Sequence, residues 1–173
     1  MEFIPLTRTF KYCPACGGGD PSAERGKIEC ARCGHLFYVN PAVAVGVILR
    51  DPMERTLWVV RANEPSKGML GMAGGFVDAG ETLEEAARRE AREEIGVELG
   101  ELEFVCSAPN YYRYRGIEYS VVDCFFTAVI ADFADARALD EVAGLAILER
   151  DAVDPAHIAF PSMRAAWQAF LHR

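Results

Sequence analysis

The stretch GFVDAGETLEEAARREAREEIGV, residues 75–97, decides how the rest of the chain is read. Thr82 followed three residues later by Glu85 makes a capping box, and Gly96 supplies a stop, so the spacing predicts a helix over Leu83–Ile95. Leu83, Ala86, Ala87, Ala91 and Ile95 form its inward stripe. Glu90, Glu93 and Glu94 stand at i, i+3 and i+4 and share one patch of the helix surface. As a solvated acidic face they would be tolerated, since exposed like charges at that spacing cost only about 0.2–0.5 kcal/mol per pair. Lining a cleft, carboxylates roughly 5.5 Å apart at an effective dielectric of about 20 repel by about 3 kcal/mol per pair, and a cation is strongly favoured. Oxygen-only ligands of this kind select Mg²⁺ or Mn²⁺.

Residues 64–80 are dense in glycine and proline, which suits a loop lying close to a ligand. Ahead of it, the valine-rich run 42–49 reads as a strand buried on both faces; Asp51 and Pro52 turn the chain into a second strand, 56–61, ending on Arg61. Beyond the helix, strands are expected over 102–107 and 119–130, the latter carrying Val121, Val122, Phe125, Phe126 and Val129, and another over 142–148. Met163, Ala166, Trp167, Phe170 and Leu171 recur at helical spacing behind Pro161, so an amphipathic helix closes the chain. No internal repeat interrupts this order. Strands mixed with two helices mean α/β or α+β.

Upstream, Cys13 and Cys16, then thirteen residues, then Cys30 and Cys33 form two C-x-x-C turns, with Gly17 and Gly34 after the second cysteine of each. Four thiolates close a tetrahedral shell, which is a structural zinc site; a rubredoxin-like iron site or redox dithiols are other uses of such pairs. A catalytic zinc keeps an open position, and the deaminase pattern needs a Pro-Cys-x-x-Cys that Tyr12-Cys13 and Glu29-Cys30 do not supply. His35 reads as a surface residue, and Cys106 and Cys124 as small buried hydrophobes. Pro41 marks the join, giving a zinc ribbon over 1–38 and a main domain over 39–173.

A chain of 173 residues, 51% hydrophobic with ten Phe, can bury one sizeable core with a small module to spare. A net charge of −8 opposes the phosphate attraction on which nucleic-acid binding relies, and Lys11, Arg25, Lys27 and Arg32 are scattered among Asp20, Glu24 and Glu29, so no nucleic-acid partner is expected. The first twelve residues hold no apolar core of signal-peptide length, and the run 42–49 is far short of the roughly 20 residues of a membrane span; the expectation is a cytoplasmic protein with no membrane partner.

The pattern Gly75, Glu81, Arg89, Glu90, Glu93, Glu94, Gly96, with Ala91 and Val97 in two apolar places, resembles the Nudix box, Gly-x5-Glu-x7-Arg-Glu-U-x-Glu-Glu-x-Gly-U. All seven fixed positions match, and at about 7% per position a chance match is on the order of one in 10⁸ per window. Ala91 is smaller than the usual aliphatic residue. Asn40-Pro41, Lys67-Gly68-Met69-Leu70 ahead of Gly74-Gly75-Phe76-Val77, and the ribbon itself are similar to zinc-ribbon Nudix proteins, with Ala73 standing where a proline is usual. The resemblance implies an α/β/α sandwich with a mixed sheet. It implies that Glu90, Glu93, Glu94 and the Gly75 carbonyl hold Mg²⁺ or Mn²⁺, that Arg89 and Glu81 orient the carboxylates, and that a metal-activated water attacks one phosphorus in line. The base that takes the proton could be Glu90, Glu141, Asp140 or Glu118.

For substrate, the resemblance points to a small nucleoside diphosphate derivative, with ADP-ribose or a nucleotide sugar favoured and NAD(H) the alternative. Zinc-ribbon Nudix proteins that act on NADH carry Ser-Gln-Pro-Trp-Pro-Phe-Pro after the box; here Ser107-Ala108-Pro109-Asn110-Tyr111-Tyr112 lacks the tryptophan and two prolines. Tyr111, Tyr112 and Tyr114, interleaved with Arg113 and Arg115, could stack a base and clamp a phosphate, or simply pack along a hairpin edge; Arg61 is a second clamp candidate. A non-catalytic nucleotide-sensing Nudix module is a further alternative, for which a damaged box would be the sign. Relatives commonly pair, so a homodimer is expected.

Overall fold

In the computed structural model, which describes residues 3–24 and 26–173, the chain forms two compact units: Met1–Ala42 with Tyr111–Val121, and Val43–Asn110 with Val122–Arg173. Arg25, one of the scattered basic residues of the ribbon, lies outside the described residues. In chain order the strands and helices are β1 (Ile4–Pro5), β2 (Ser22–Glu24), β3 (Lys27–Glu29), β4 (Leu36–Tyr38), β5 (Ala42–Arg50), β6 (Thr56–Arg61), β7 (Leu70–Gly71), α1 (Leu83–Ile95), β8 (Glu103–Tyr114), β9 (Ile117–Val129), β10 (Val142–Leu148) and α2 (Pro161–Leu171).

In the first unit, β2, β3 and β4 form an antiparallel meander with Ile28 buried. Both cysteine turns close in the same way. Gly17 donates its N–H to the Cys13 carbonyl and Gly34 to the Cys30 carbonyl, each at 2.9 Å, with φ of 67° and 70° that favour glycine. β1 runs parallel to the start of β9, and the β8–β9 hairpin turns at Arg115 and Gly116, both at positive φ, the geometry of a two-residue turn matched to strand twist.

In the second unit, β5, β6 and β10 pair antiparallel, with β7 on β6 and β9 beside β5. A parallel bridge between Leu70 and Ile158 makes the pairing mixed. Both faces are covered. Against α1 pack Val45, Val47, Leu49, Leu57, Val59, Cys124 and Phe126; against α2 pack Ile48, Trp58, Met72 and Phe125. Ala86, Ala87 and Ala91 are wholly buried, so the small residue at Ala91 sits in the contact that holds α1 close to the sheet. Trp58 and Trp167 meet edge to face at 5.2 Å under α2. The result is the expected α/β sandwich, a mixed sheet between two helices.

The capping box forms as expected, Thr82 and Glu85 exchanging both bonds, and Gly96 ends α1 at φ 70°. Three expectations need correction. The strand expected over 102–107 runs on to Tyr114, because pairing with β9 continues through residues whose largely exposed pattern gives no burial period. Cys106 is half-buried and only Cys124 fully so. Leu171, counted among the apolar residues at helical spacing in α2, is 40% exposed, and the polar Ser162 of the same helix is buried. No helix among the described residues is long and apolar enough to cross a membrane.

Candidate functional site

The loop before α1 folds back on the helix through its glycines. A Cβ on Gly74 would run into the Val45 backbone carbonyl, so that position requires glycine, and one on Gly75 would displace the Glu90 carboxylate from where it now lies. Val45 donates its N–H to the Gly75 carbonyl at 2.8 Å, pinning the loop to β5. Gly74, Gly75, Phe76, Glu90, Glu93, Glu94, Asp140 and Glu141 line one cleft of about 320 Å³. The three box carboxylates are therefore together on a concave surface.

Arg89 organises them. Its Nε and Nη2 donate to Glu81 at 2.7 and 2.9 Å, its Nη1 to Glu90 at 2.8 Å and to Glu93 at 3.1 Å, and its Nη2 also to the Phe76 carbonyl at 3.0 Å. All five guanidinium hydrogens are thus accounted for, which a lysine could not reproduce. Glu81 also accepts from the Asp78 N–H at 3.0 Å, and the guanidinium first, then this amide, hold its carboxyl down at about 2. Glu94 accepts from the Gly74 N–H at 2.9 Å. Burial, then the charges of Glu90 and Glu141, push its carboxyl up to about 8, with the Gly74 amide and the Arg61 charge acting the other way. Glu90 is also raised, chiefly by burial, against the pull of Arg89.

Such a pocket disfavours bare negative charge, and its donors are all oxygens, which fits a hard divalent cation. Glu141 faces the same cleft from the loop before β10 and takes φ 57°, a conformation uncommon for a non-glycine residue. Arg61, at the end of β6, donates from Nε to the Pro65 carbonyl at 2.9 Å and lies 4.9 Å from the Phe160 ring centre.

The remaining candidates belong to the other unit. Glu118 is bound to Arg113 at 2.8 Å, Arg113 also covers the Phe3 ring, and the Tyr112 and Tyr114 rings stand 6.3 Å apart. Tyr111 lines a separate cavity of about 360 Å³ with Glu118, Tyr119 and Asn40. None of Tyr111, Tyr112, Arg113 and Glu118 is among the residues lining the carboxylate cleft. Gly74 and Phe76, noted in the sequence only as part of the stretch 74–77 and given no role there, serve the site through a backbone N–H and a backbone C=O.

Cys13, Cys16, Cys30 and Cys33 bring their sulfurs within 4.8 Å of one another. Cys13 and Cys33 are 3.8 Å apart, and Cys16 and Cys30 3.7 Å, too far for a disulfide. A tetrahedron with metal–sulfur bonds of about 2.3 Å has edges of about 3.8 Å, so the four thiols fit such an ion. The Cys33 backbone N–H above all holds the Cys30 thiol down at about 7, easing its deprotonation.

The profile of the NUDIX domain matches residues 40–166. The chain belongs to the Nudix family. It is 30% identical over 110 residues to the NAD-capped RNA hydrolase NudC of Vibrio vulnificus, covering 63% of this chain and 41% of that protein, and 33% identical over 110 residues to NudC of Salmonella heidelberg, at 63% and 42%. This Nudix chain thus spans about two fifths of the length of those relatives. A NUDIX hydrolase from Nitrosomonas europaea superposes with a TM-score of 0.71 at 25% identity, over 94% of this chain and 91% of that one. The NUDIX domain of Shewanella oneidensis NrtR, solved with ADP ribose, shares the fold at a TM-score of 0.65 and 23% identity, over 78% and 90%.

Proposed function

We propose that the protein is a divalent-metal-dependent pyrophosphohydrolase that cleaves the phosphoanhydride of a small nucleoside diphosphate derivative, ADP-ribose or a nucleotide sugar being favoured. The observation that carries this is the cleft in which Glu90, Glu93 and Glu94 face the Gly74–Gly75 backbone, with Arg89 locked between them and Glu81. Glu90, Glu93, Glu94 and the Gly75 carbonyl would hold Mg²⁺ or Mn²⁺, which when bound supplies positive charge to the bridging phosphates and Lewis acidity to the attacking water. Arg89 directs four of its five N–H groups to carboxylates, so its part is to fix their orientation and leave oxygens turned to the cleft. Glu141 lines the cleft opposite α1, and its carboxylate takes the proton from water; Asp140 beside it is the second candidate. Arg61, whose charge reaches Glu94, clamps a substrate phosphate. The four cysteines hold a structural Zn²⁺.

NAD(H) is the second reading, favoured by the similarity to proteins named NAD-capped RNA hydrolase and disfavoured by the missing tryptophan and prolines over 107–112. ADP-ribose and NAD(H) share an adenosine diphosphate joined to a second ribose. The test is release of nucleoside monophosphate or phosphate from ADP-ribose, NADH, dinucleoside polyphosphates and nucleoside triphosphates with Mg²⁺ or Mn²⁺. Turnover of ADP-ribose above the others is expected. Preference for NADH would transfer the assignment to the second reading, and tight binding without turnover would make the protein a nucleotide sensor.

A further inference from the structure

Outside the cleft, the second unit contains a buried acid that the reaction does not use. Asp123, on β9, is 7% exposed and Ser162, on α2, is 1% exposed. The Ser162 hydroxyl donates to Asp123 Oδ2 at 2.5 Å, and the Asn110 side chain of β8 is the second donor. Both donors are neutral. A carboxylate buried among neutral donors is a poor way to stabilise a core, since desolvation weighs against what the hydrogen bonds return. Its position suggests what it does instead.

Helix α2 begins without a side-chain cap: Phe160 occupies the cap position, Pro161 follows, and Ser162, which could serve the helix's own first turn, is turned to β9. The helix start is thus held from outside. The residues just before it are zipped to the substrate side of the unit. Ala159 donates its N–H to the Leu70 carbonyl at 2.8 Å, the Ser66 hydroxyl donates to the Ala159 carbonyl at 3.4 Å, and the Phe160 ring lies against the Arg61 guanidinium. Arg61 donates from Nε to the Pro65 carbonyl at 2.9 Å, and its guanidinium carbon lies 4.9 Å from the Phe160 ring centre. Its two mounts are therefore the Pro65 carbonyl and the Phe160 ring, and the second is set by where α2 begins.

We propose that Asp123, Ser162 and Asn110 form a latch that fixes the start of α2 and, through the Phe160 ring, aims Arg61 at the substrate phosphate, making Asp123 and Ser162 positioning residues for phosphate recognition. This rests on Arg61 being the phosphate clamp. Loss of the latch releases the ring, and the guanidinium samples orientations that no longer meet the phosphate, so ground-state binding suffers more than the chemical step.

The test compares Ser162→Ala, Asp123→Asn, Asp123→Ala and Arg61→Ala, singly and with Ser162→Ala combined with Arg61→Ala. On the best substrate of the panel, Ser162→Ala and Asp123→Ala are expected to raise KM about five- to twentyfold with kcat within about twofold. Asp123→Asn, which keeps an oxygen facing Ser162, is expected to lose less than Asp123→Ala. The double variant is expected to be no worse than Arg61→Ala alone, because the latch acts through that arginine. Additive losses in the double variant, or a fall in kcat at unchanged KM, overturn the proposal. A readout independent of turnover is the NMR signal of Arg61 Nε–H. It should shift or broaden in Ser162→Ala while that of Arg92, bound to Glu98 on the exposed side of α1, stays in place. An unmoved Arg61 signal overturns the latch even if the panel reveals no substrate, whereas a moved signal without turnover leaves the latch standing and removes the hydrolase reading.

Discussion

The cysteine site and the glutamate cleft are built by opposite means. In the ribbon, each C-x-x-C pair lies within one tight turn closed by its own glycine, and the two turns meet with Cys13 3.8 Å from Cys33 and Cys16 3.7 Å from Cys30. In the cleft, three ligands come from one helix but their surroundings come from Gly74 and Gly75 on the preceding loop and Asp140 and Glu141 on the loop before β10. Among the described residues, only the cysteines gather three or more ligand atoms within 4.8 Å. Glu93 is instead bonded to Arg89, and Glu94 to the Gly74 backbone. Four soft thiols suit an ion that is fully enclosed, whereas hard carboxylates open on one side suit an ion that keeps room for water or substrate.

That contrast can be broken first at the ribbon. Replacing Cys13 and Cys30 by Ser together is expected to abolish metal binding there and collapse the amide signals of residues 3–42, while those of α1 persist; NMR of the variant checks this, and an intact ribbon spectrum would deny the ion a structural role. On the other side, Glu94→Gln is expected to lower turnover by about a hundredfold or more with an unchanged circular dichroism spectrum, and near-normal turnover would remove Glu94 from the metal site. Gly75→Ala puts a methyl group against the Glu90 carboxylate and should cost about tenfold in turnover with the ribbon metal content unaltered.

The two carboxyls of the cleft region titrate in opposite directions. With Glu94 held up at about 8, the folded metal-free chain keeps a proton that the unfolded chain has released above the ordinary value of 4.5. This contribution to stability is complete below that value and is lost as pH rises through about 8, so melting of the metal-free protein should fall across that window and Glu94→Gln should flatten the slope. Glu81 has the opposite sign. Held down at about 2, it contributes above the ordinary carboxylate range and is lost as pH falls through about 2. The smallest effect is expected at the helix start, where Thr82→Ala removes a cap worth about 1 kcal/mol, measured by urea unfolding, with little change in either metal site.

What depends on neighbours in the chain was legible from residue order alone: the capped helix, the i, i+3, i+4 carboxylates, the glycines ending each cysteine turn, and the strands whose apolar period reports burial. Tertiary structure decided the rest. β8 extends to Tyr114 only because β9 pairs with it, and Asp123 meets Ser162 across thirty-nine positions of sequence. Glu141 enters the cleft from a loop with no pattern of its own, and the Gly74 amide and Phe76 carbonyl serve the site through a backbone that every residue shares. Local periodicity encodes which face of an element is apolar. Which distant groups that face brings together is set by packing, and it was packing that joined the glutamates, the loop and the latch into one arrangement.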